Sequence, residues 1–572
     1  MRPMTMRRIA AVLGVVVLAG CASIPTSGPV REVGEAGGLG QSTVRYTPAL
    51  PTEGASPTDV VRGYLDAMLA YPASTRTAAA FLTPRAAEDW KPQSGVTVYD
   101  GPRVALQNDA ARRADGVEGE SVAVTIDEVG RVRSDGRYAA GRGGRAVTYR
   151  LVQVDGEWRI DDPQRGLLVT ATFFADYYRP FQVYFFDRPA ERLTSVPVHL
   201  PVDDRLAAAL VAILARGPGD DRLRSFVPPE SELRPTVPVR DGVADVGFLS
   251  GELSDTDEER LSAQVVWTLR QVPALTGVRI TVGRESVAPT GPVVQPIDGW
   301  GEYDTSGARH RVHALRGDRV VEIVGDELAP IAGPWGRDAG GAASVGVSDQ
   351  DVALVSARRD QVRLAARDGA VRRTVGAVDA LPPTVDADDD FWLVDRPRGE
   401  TRVRLVDGAQ VRTVAAPRLA DLDVRAFDVS PDGARYVATV GAGRDARIVV
   451  GGIERSAKDR VLRLAAPTAL HLDAKSARSA VWSDPVRIAF IGTGRTGVQV
   501  HTVLIDGSSP ADAGTGGRAA LPGVDARRVV TSSGDDADSY VTTADGDLWY
   551  LGPSGSWRLL DDAPVRSLGA GR

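Results

Sequence analysis

A single thiol stands in the 572-residue chain, at Cys21, directly after Ala19 and Gly20. A cysteine behind an apolar run and two small residues suits one chemistry. Its sulfur accepts a diacylglyceryl group, and the small neighbours let a peptidase reach the bond before it. With no second cysteine, intrachain disulfides and Cys-rich zinc centres are excluded. Of the five histidines only His310 and His313 are close together, and a zinc site there would need Glu302 or Asp304 as a third ligand. Nothing in the spacing enforces that set, so the histidines read as solvated loop residues and no metal is assigned. The acidic runs Asp386–Asp390 and Asp535–Asp538 offer hard oxygen donors of the kind Ca²⁺ takes. Carboxylates at turns also cap loops and keep sheet edges soluble, and that is the preferred reading. No G-x-S-x-G, H-E-x-x-H or G-K-[ST] phosphate loop occurs. No catalytic residue or cofactor is therefore nominated, and the chain reads as a non-enzyme.

Cys21 needs a targeting element to bring it to a membrane. Arg2, Arg7 and Arg8 form a positive n-region, and Ile9 to Ala19 is an apolar h-region. That run is too short for a permanent span, which needs about 20 apolar residues, so 1–20 reads as a cleaved signal peptide. Leu18-Ala19-Gly20-Cys21 resembles the bacterial lipobox. Each buried acyl methylene contributes ~0.8 kcal/mol, so two or more chains on Cys21 hold the protein stably at the extracytoplasmic face of the cell membrane. The net charge of −7 and a basic complement that is arginine except for Lys91, Lys458 and Lys475 argue for composition bias rather than a phosphate-tracking surface. Nucleic acid is thereby excluded as a partner.

Residues 21–55 are rich in Gly, Pro, Ser and Thr without periodicity, the composition of a flexible tether. Ser56-Pro57-Thr58-Asp59 then supplies an N-cap, a proline at N1 and an acid at N3, ahead of an apolar stripe from Val60 to Leu69. Alternating strands follow at Gly95–Asp100, Ser121–Ile126 and Val147–Val154, with Asp155-Gly156 turning into Glu157–Ile160. A helix followed by such a sheet over 56–178 resembles the NTF2-like cone.

Over 179–290 the pattern is a strand at Phe181–Asp187, a helix over Asp204–Arg216, a hairpin about Asp241-Gly242, a Ser254-capped helix and a strand at Val278–Val282. This βαββαβ order predicts a small α/β sandwich. The YFFD strand, the ALVAILARGP and AQVVWTLRQVP helices and the closing VRITV strand resemble the GerMN domain. From 300 to 572 amphipathic helices all but vanish. Acidic or serine turns recur at 348, 386, 430, 483 and 535, each ahead of a strand of small and branched residues. A period of about 40–50 residues with several strands apiece predicts a β-propeller. With the strand pair Val312–Val324, the reading is six blades, with seven as the alternative. The fold class is thus multidomain, α+β followed by all-β.

The order of lipobox, tether, NTF2-like region, GerMN domain and propeller resembles the LpqB lipoprotein family of high-GC Gram-positive bacteria. The FLTPRAAEDW, GVTVYDG, YYRPFQVYFFD and AQVVWTLRQVP stretches carry the likeness. The resemblance implies an accessory regulator in cell-envelope and division signalling, partnered by the extracellular domain of the sensor histidine kinase MtrB of the MtrA–MtrB system. Read from the residues alone, the alternative is a receptor for cell-wall glycan or peptide, or a hydrolase, using the propeller mouth or the GerMN groove.

Overall fold

The computed structural model describes residues 48–571, apart from 71–73, 108–118, 230, 235, 305–310, 409, 473, 475, 495–496, 510–519, 533–537, 553–554 and 562–563. Cys21, the signal segment, most of the tether, His310, Asp535 and Asp536 lie outside the described residues. Among the described residues no helix is long and apolar enough to cross a membrane.

The first module is a helix on a sheet. The helix Pro57–Met68 starts where the cap dictates, with Ser56 Oγ accepting from Asp59 N at 3.3 Å and donating to the Asp59 carboxylate at 2.6 Å. Its stripe of Val60, Val61, Tyr64, Leu65 and Met68 is buried. Each such apolar side chain contributes roughly 1.5–3 kcal/mol on leaving water. The sheet order is Glu157–Ile160, Tyr138–Val154, Gly119–Arg133, Gly95–Gln107, Leu167–Thr170, all antiparallel except the last pair. The strands run further than their alternation suggests. The glycine-rich stretch 139–146 looks like a loop in sequence, yet it pairs onward with Asp127–Arg131 across a bulge. Gly141 makes this possible, because a Cβ there would sit 1.9 Å from the Glu128 carbonyl oxygen.

The middle module has two sheets and two long helices around one core. Leu206–Arg216 buries Leu206, Leu210, Ile213 and Leu214, and Asp255–Leu269 is capped by Ser254, whose side chain accepts from Asp257 N. Val243–Phe248 and Gly277–Val282 pair in parallel, as the intervening helix requires. Asp241 (φ +51°) and Gly242 (φ +77°) make the tight turn that their types specify. The longest strand additional to the βαββαβ order, Leu193–Pro201, pairs with Tyr178 to Phe186, and the short strands Leu223–Arg224, Glu285–Val287 and Val294–Pro296 extend the two sheets. Pro197 hides the long strand in sequence, and its position on a sheet edge accommodates the missing donor.

The third module is a six-bladed propeller. Blade 2 (Ser344–Val347, Asp351–Val355, Gln361–Ala366, Val371–Gly376) shows the pattern: four antiparallel strands, innermost first. Blades 3, 4, 5 and 6 start from Thr384, Val424, Ala477 and Ala526. Blade 1 is assembled from both ends of the module. Its innermost strand is the C-terminal Val565–Gly571, paired with Arg311–Arg316, which closes the ring and leaves no open edge there. The recurrent turns at 348, 386, 430 and 483 occupy one position, between the first and second strands of a blade, so the repeat read in sequence is one strand out of phase with the blades. Innermost strands are also tied to each other. The Asp428 carboxylate accepts from Thr384 Oγ1 at 2.6 Å and Trp482 N at 3.0 Å, and the Trp482 carbonyl accepts from Thr531 Oγ1 at 3.0 Å.

Candidate functional site

Of the side chains singled out for their chemistry, the acidic run Asp386–Asp390 lies at the seam where the middle module meets the propeller, while His313 and Asp538 lie elsewhere in the propeller. In the turn Asp386–Asp390, Asp386 is buried and its carboxylate faces inward. It accepts from Asp388 N at 3.0 Å, Asp390 N at 3.1 Å and Trp392 Nε1 at 2.8 Å. Burial nevertheless holds its pKa above the ordinary carboxylate range. Asp390 beside it lacks those donors. Burial and the neighbouring carboxylate of Asp386 push it up to about 8. The two titrate as a pair, and the donors to Asp386 identify Asp390 as the member that keeps the proton.

Asp388 points across the seam. It meets Arg192 Nη2 at 2.5 Å and Arg455 Nη1 at 3.3 Å. Arg192 leaves the loop between the two long strands of the middle module, where Asp187 Oδ1 accepts from Glu191 N and Arg192 N and sets its direction. Its guanidinium also forks onto Asp459, at 2.5 Å from Nη2 and 3.2 Å from Nε. Burial alone would lower the Arg192 pKa, and the carboxylates of Asp459 and Asp388 outweigh it. Beside this clasp Arg435 of blade 4 donates to the Ser195 carbonyl at 2.7 Å, and a cavity of about 30 Å³ lies between Asp187, Arg222 and Arg455. The acidic turn is thus a receptor for arginines, and among the described residues no group of three or more His, Cys, Asp or Glu is placed to hold a metal ion.

Two histidines correct the expectation that such residues are solvated. His199 is 3% exposed and joins all three modules. Its Nε2 lies 3.1 Å from Asp506 Oδ2 and 3.2 Å from Ser508 Oγ of the propeller, and its ring packs on Tyr138 and Phe174 of the first module. The turn before Tyr138 completes the contact: Gly136 O accepts from His199 N at 2.7 Å, and Arg137 donates to Pro218 O. His313 is 1% exposed inside blade 1, with neither ring nitrogen hydrogen-bonded, and its pKa is lowered to about 3 by burial and then by Arg367 and Arg311. Glu302 and Asp304 do not gather round it in any metal-binding group among the described residues. Asp538 accepts from the Tyr550 hydroxyl at 3.0 Å.

Sequence reasoning passed over Arg192 and His199. Arg192 is one arginine among many, and only the Asp187 turn that aims it distinguishes it. His199 stands in the apolar run VPVHLP, where a lone polar residue among strand formers was the available signal.

Comparison with known proteins follows the same three modules. Residues 50–175 match the family model for the N-terminal domain of lipoprotein LpqB, 182–287 the one described as sporulation and spore germination, and 318–566 the lipoprotein LpqB beta-propeller domain. Lipoprotein LpqB of Thermobifida fusca is 26% identical over 95% of this chain and 96% of its own length. That of Streptomyces coelicolor is 28% identical over 87% of this chain and 88% of its own. Among solved structures, the first GerMN domain of GerM from Bacillus subtilis is similar over 20% of this chain and 92% of that one, at 23% identity and a TM-score of 0.17. TolB from Acinetobacter baumannii is similar over 56% of this chain and 86% of that one, at 12% identity and a TM-score of 0.32. With two models particular to LpqB bracketing the middle module, and relatives of that name aligned nearly end to end, the chain belongs to the LpqB lipoprotein family.

Proposed function

We propose that the chain is tethered by lipid on Cys21 at the extracytoplasmic face of the cell membrane, where it biases a sensor histidine kinase of the MtrB type. The observation that carries this reading is the three-way junction at His199, with the Arg192 clasp beside it. Modules locked at two places transmit a load as one body, which suits a regulator that stabilises one of two kinase states rather than a string of independent binders. The tether of about 35 residues, as a coil of ~5–6 Å × √n, reaches about 30 Å and raises the local concentration of the body near a membrane-borne sensor.

In cells carrying Cys21→Ala the protein leaves the membrane fraction and kinase-dependent transcription falls, while the purified variant keeps its melting temperature. In-cell crosslinking from the propeller of the wild type then recovers the extracellular part of a histidine kinase. Unchanged transcription with a soluble variant, or crosslinks confined to peptidoglycan, overturns the reading in favour of a wall receptor.

A further inference from the structure

Behind the Arg192 clasp lies a small cavity whose wall mixes donors and acceptors. Asp187 and Thr194 face it from the middle module. Thr194 stands opposite Phe185 in the pairing of the two long strands, and Asp187 is two residues beyond Phe185, so both side chains share one face of that hairpin. Blade 4 closes the cavity from the other side with Gly433, Arg435, Ile453 and Arg455, and about 30 Å³ is left between the two modules.

Most of the polar wall is already paired. Arg222 forks onto Asp220 at 3.0 and 2.7 Å, and Arg435 donates to the Ser195 carbonyl at 2.7 Å. Two backbone N–H groups donate to Asp187 Oδ1, and the Arg455 Nη atoms donate to Asp388 and to the carbonyls of Asp459 and Gly433. Three buried atoms of the wall have no partner among the described residues: Asp187 Oδ2, Thr194 Oγ1 and Arg455 Nε. A lone guanidinium Nε would say little. Here an acceptor, a hydroxyl and a donor meet at one cavity, and leaving all three dry is costly.

The mixture selects the occupant. A cation would face the Arg455 guanidinium and an anion the Asp187 carboxylate, so an ion of either sign meets a wrong partner. Water both donates and accepts. It needs about 10–15 Å³ of such space and makes about three hydrogen bonds when buried.

We propose that this cavity binds one structural water, which donates to Asp187 Oδ2, accepts from Arg455 Nε and completes its bonding with Thr194 Oγ1. The water ties the turn that aims Arg192 to the propeller strand that carries Arg455, and is thereby a working part of the clasp. The inference is independent of which kinase or wall component the whole protein meets.

The test uses the full-length chain in detergent, with two readouts. Thr194→Val keeps the shape of the side chain and removes only the hydroxyl. With the hydroxyl bonded to water, this variant melts about 1–3 °C below the wild type. Crystals of the wild type show one density peak about 2.6–3.2 Å from each of the three atoms, and this decides the matter if Thr194→Val does not fold. A variant that melts at or above the wild type overturns the proposal, because the hydroxyl it lost was then unpaired. So does a crystal in which Asp187 Oδ2 contacts Arg455 directly, or one grown in bromide whose anomalous peak places an anion in the cavity.

Discussion

Arg192 and Asp459 are 267 residues apart in the chain and 2.5 Å apart in space. Their fork, together with Asp388, fastens the middle module to blades 3 and 4 of the propeller. Arg192→Ala removes the middle module's arm of the clasp and leaves Asp388 and Asp459 of the propeller to Arg455, and the loss is on the order of 1–3 kcal/mol. Arg192→Lys restores little of it, because an ammonium cannot bridge both acids as a planar fork does. Urea denaturation should show the wild type's transition split in the alanine variant, with the seam released first. A single transition at an unchanged midpoint rules out a load-carrying clasp.

Asp390 makes stability depend on pH near neutrality. Folding raises its pKa from the ordinary 3.8 to about 8, through burial and then the Asp386 charge. The folded chain thus keeps a proton that the unfolded chain has released throughout that window. Stability falls as pH climbs through it, with a limiting slope of about 1.4 kcal/mol per pH unit. Asp390→Asn carries no such proton, so it gains on the wild type from pH 5 to about pH 8 and the difference levels off above that. Parallel denaturation curves across that range would show that Asp390 is ionised in the folded protein.

His313 works in the acid direction. Its folded pKa is lowered from 6.5 to about 3, so below pH 6.5 the unfolded chain takes up a proton that the folded chain refuses. Stability is lost as pH falls towards 3, again at no more than about 1.4 kcal/mol per unit. Replacing the ring by an apolar side chain of similar bulk, His313→Leu, flattens the acid limb between pH 6 and 4. Calorimetric melting at three pH values checks this. Equal acid sensitivity in both proteins would place a partner on one of the ring nitrogens.

Much of this architecture was legible because local signals and tertiary structure agree. The Ser56 and Ser254 caps, the Asp155-Gly156 and Asp241-Gly242 turns, and the recurring acidic turns of the propeller each specify a backbone geometry with few alternatives. Elements whose local pattern conflicts with their place were not legible. Pro197 disguises an edge strand, the glycines of 139–146 disguise a long hairpin, and buried His199 and His313 carry no sign of burial in their type. The seam was least legible of all. In a chain whose basic residues are nearly all arginine, composition cannot say which guanidinium finds which carboxylate, and only the folded register brings Arg192 to Asp388.

The closure of blade 1 couples the two ends of the propeller sequence. Leu568, fully buried on Val565–Gly571, sits opposite Ala314 in the pairing with Arg311–Arg316. It packs in one cluster with Val312, Ile323 and Tyr540. Leu568→Ala opens a cavity and costs about 2–5 kcal/mol. Because this strand joins blade 1 to the end of the propeller sequence, the loss appears far away in the chain. Amide exchange quickens across 311–324, and along Ser539–Thr543 of blade 6, as well as at the C-terminus. Faster exchange confined to 565–571 would mean that the last strand frays independently, and that blade 1 is held shut by something other than the C-terminal strand.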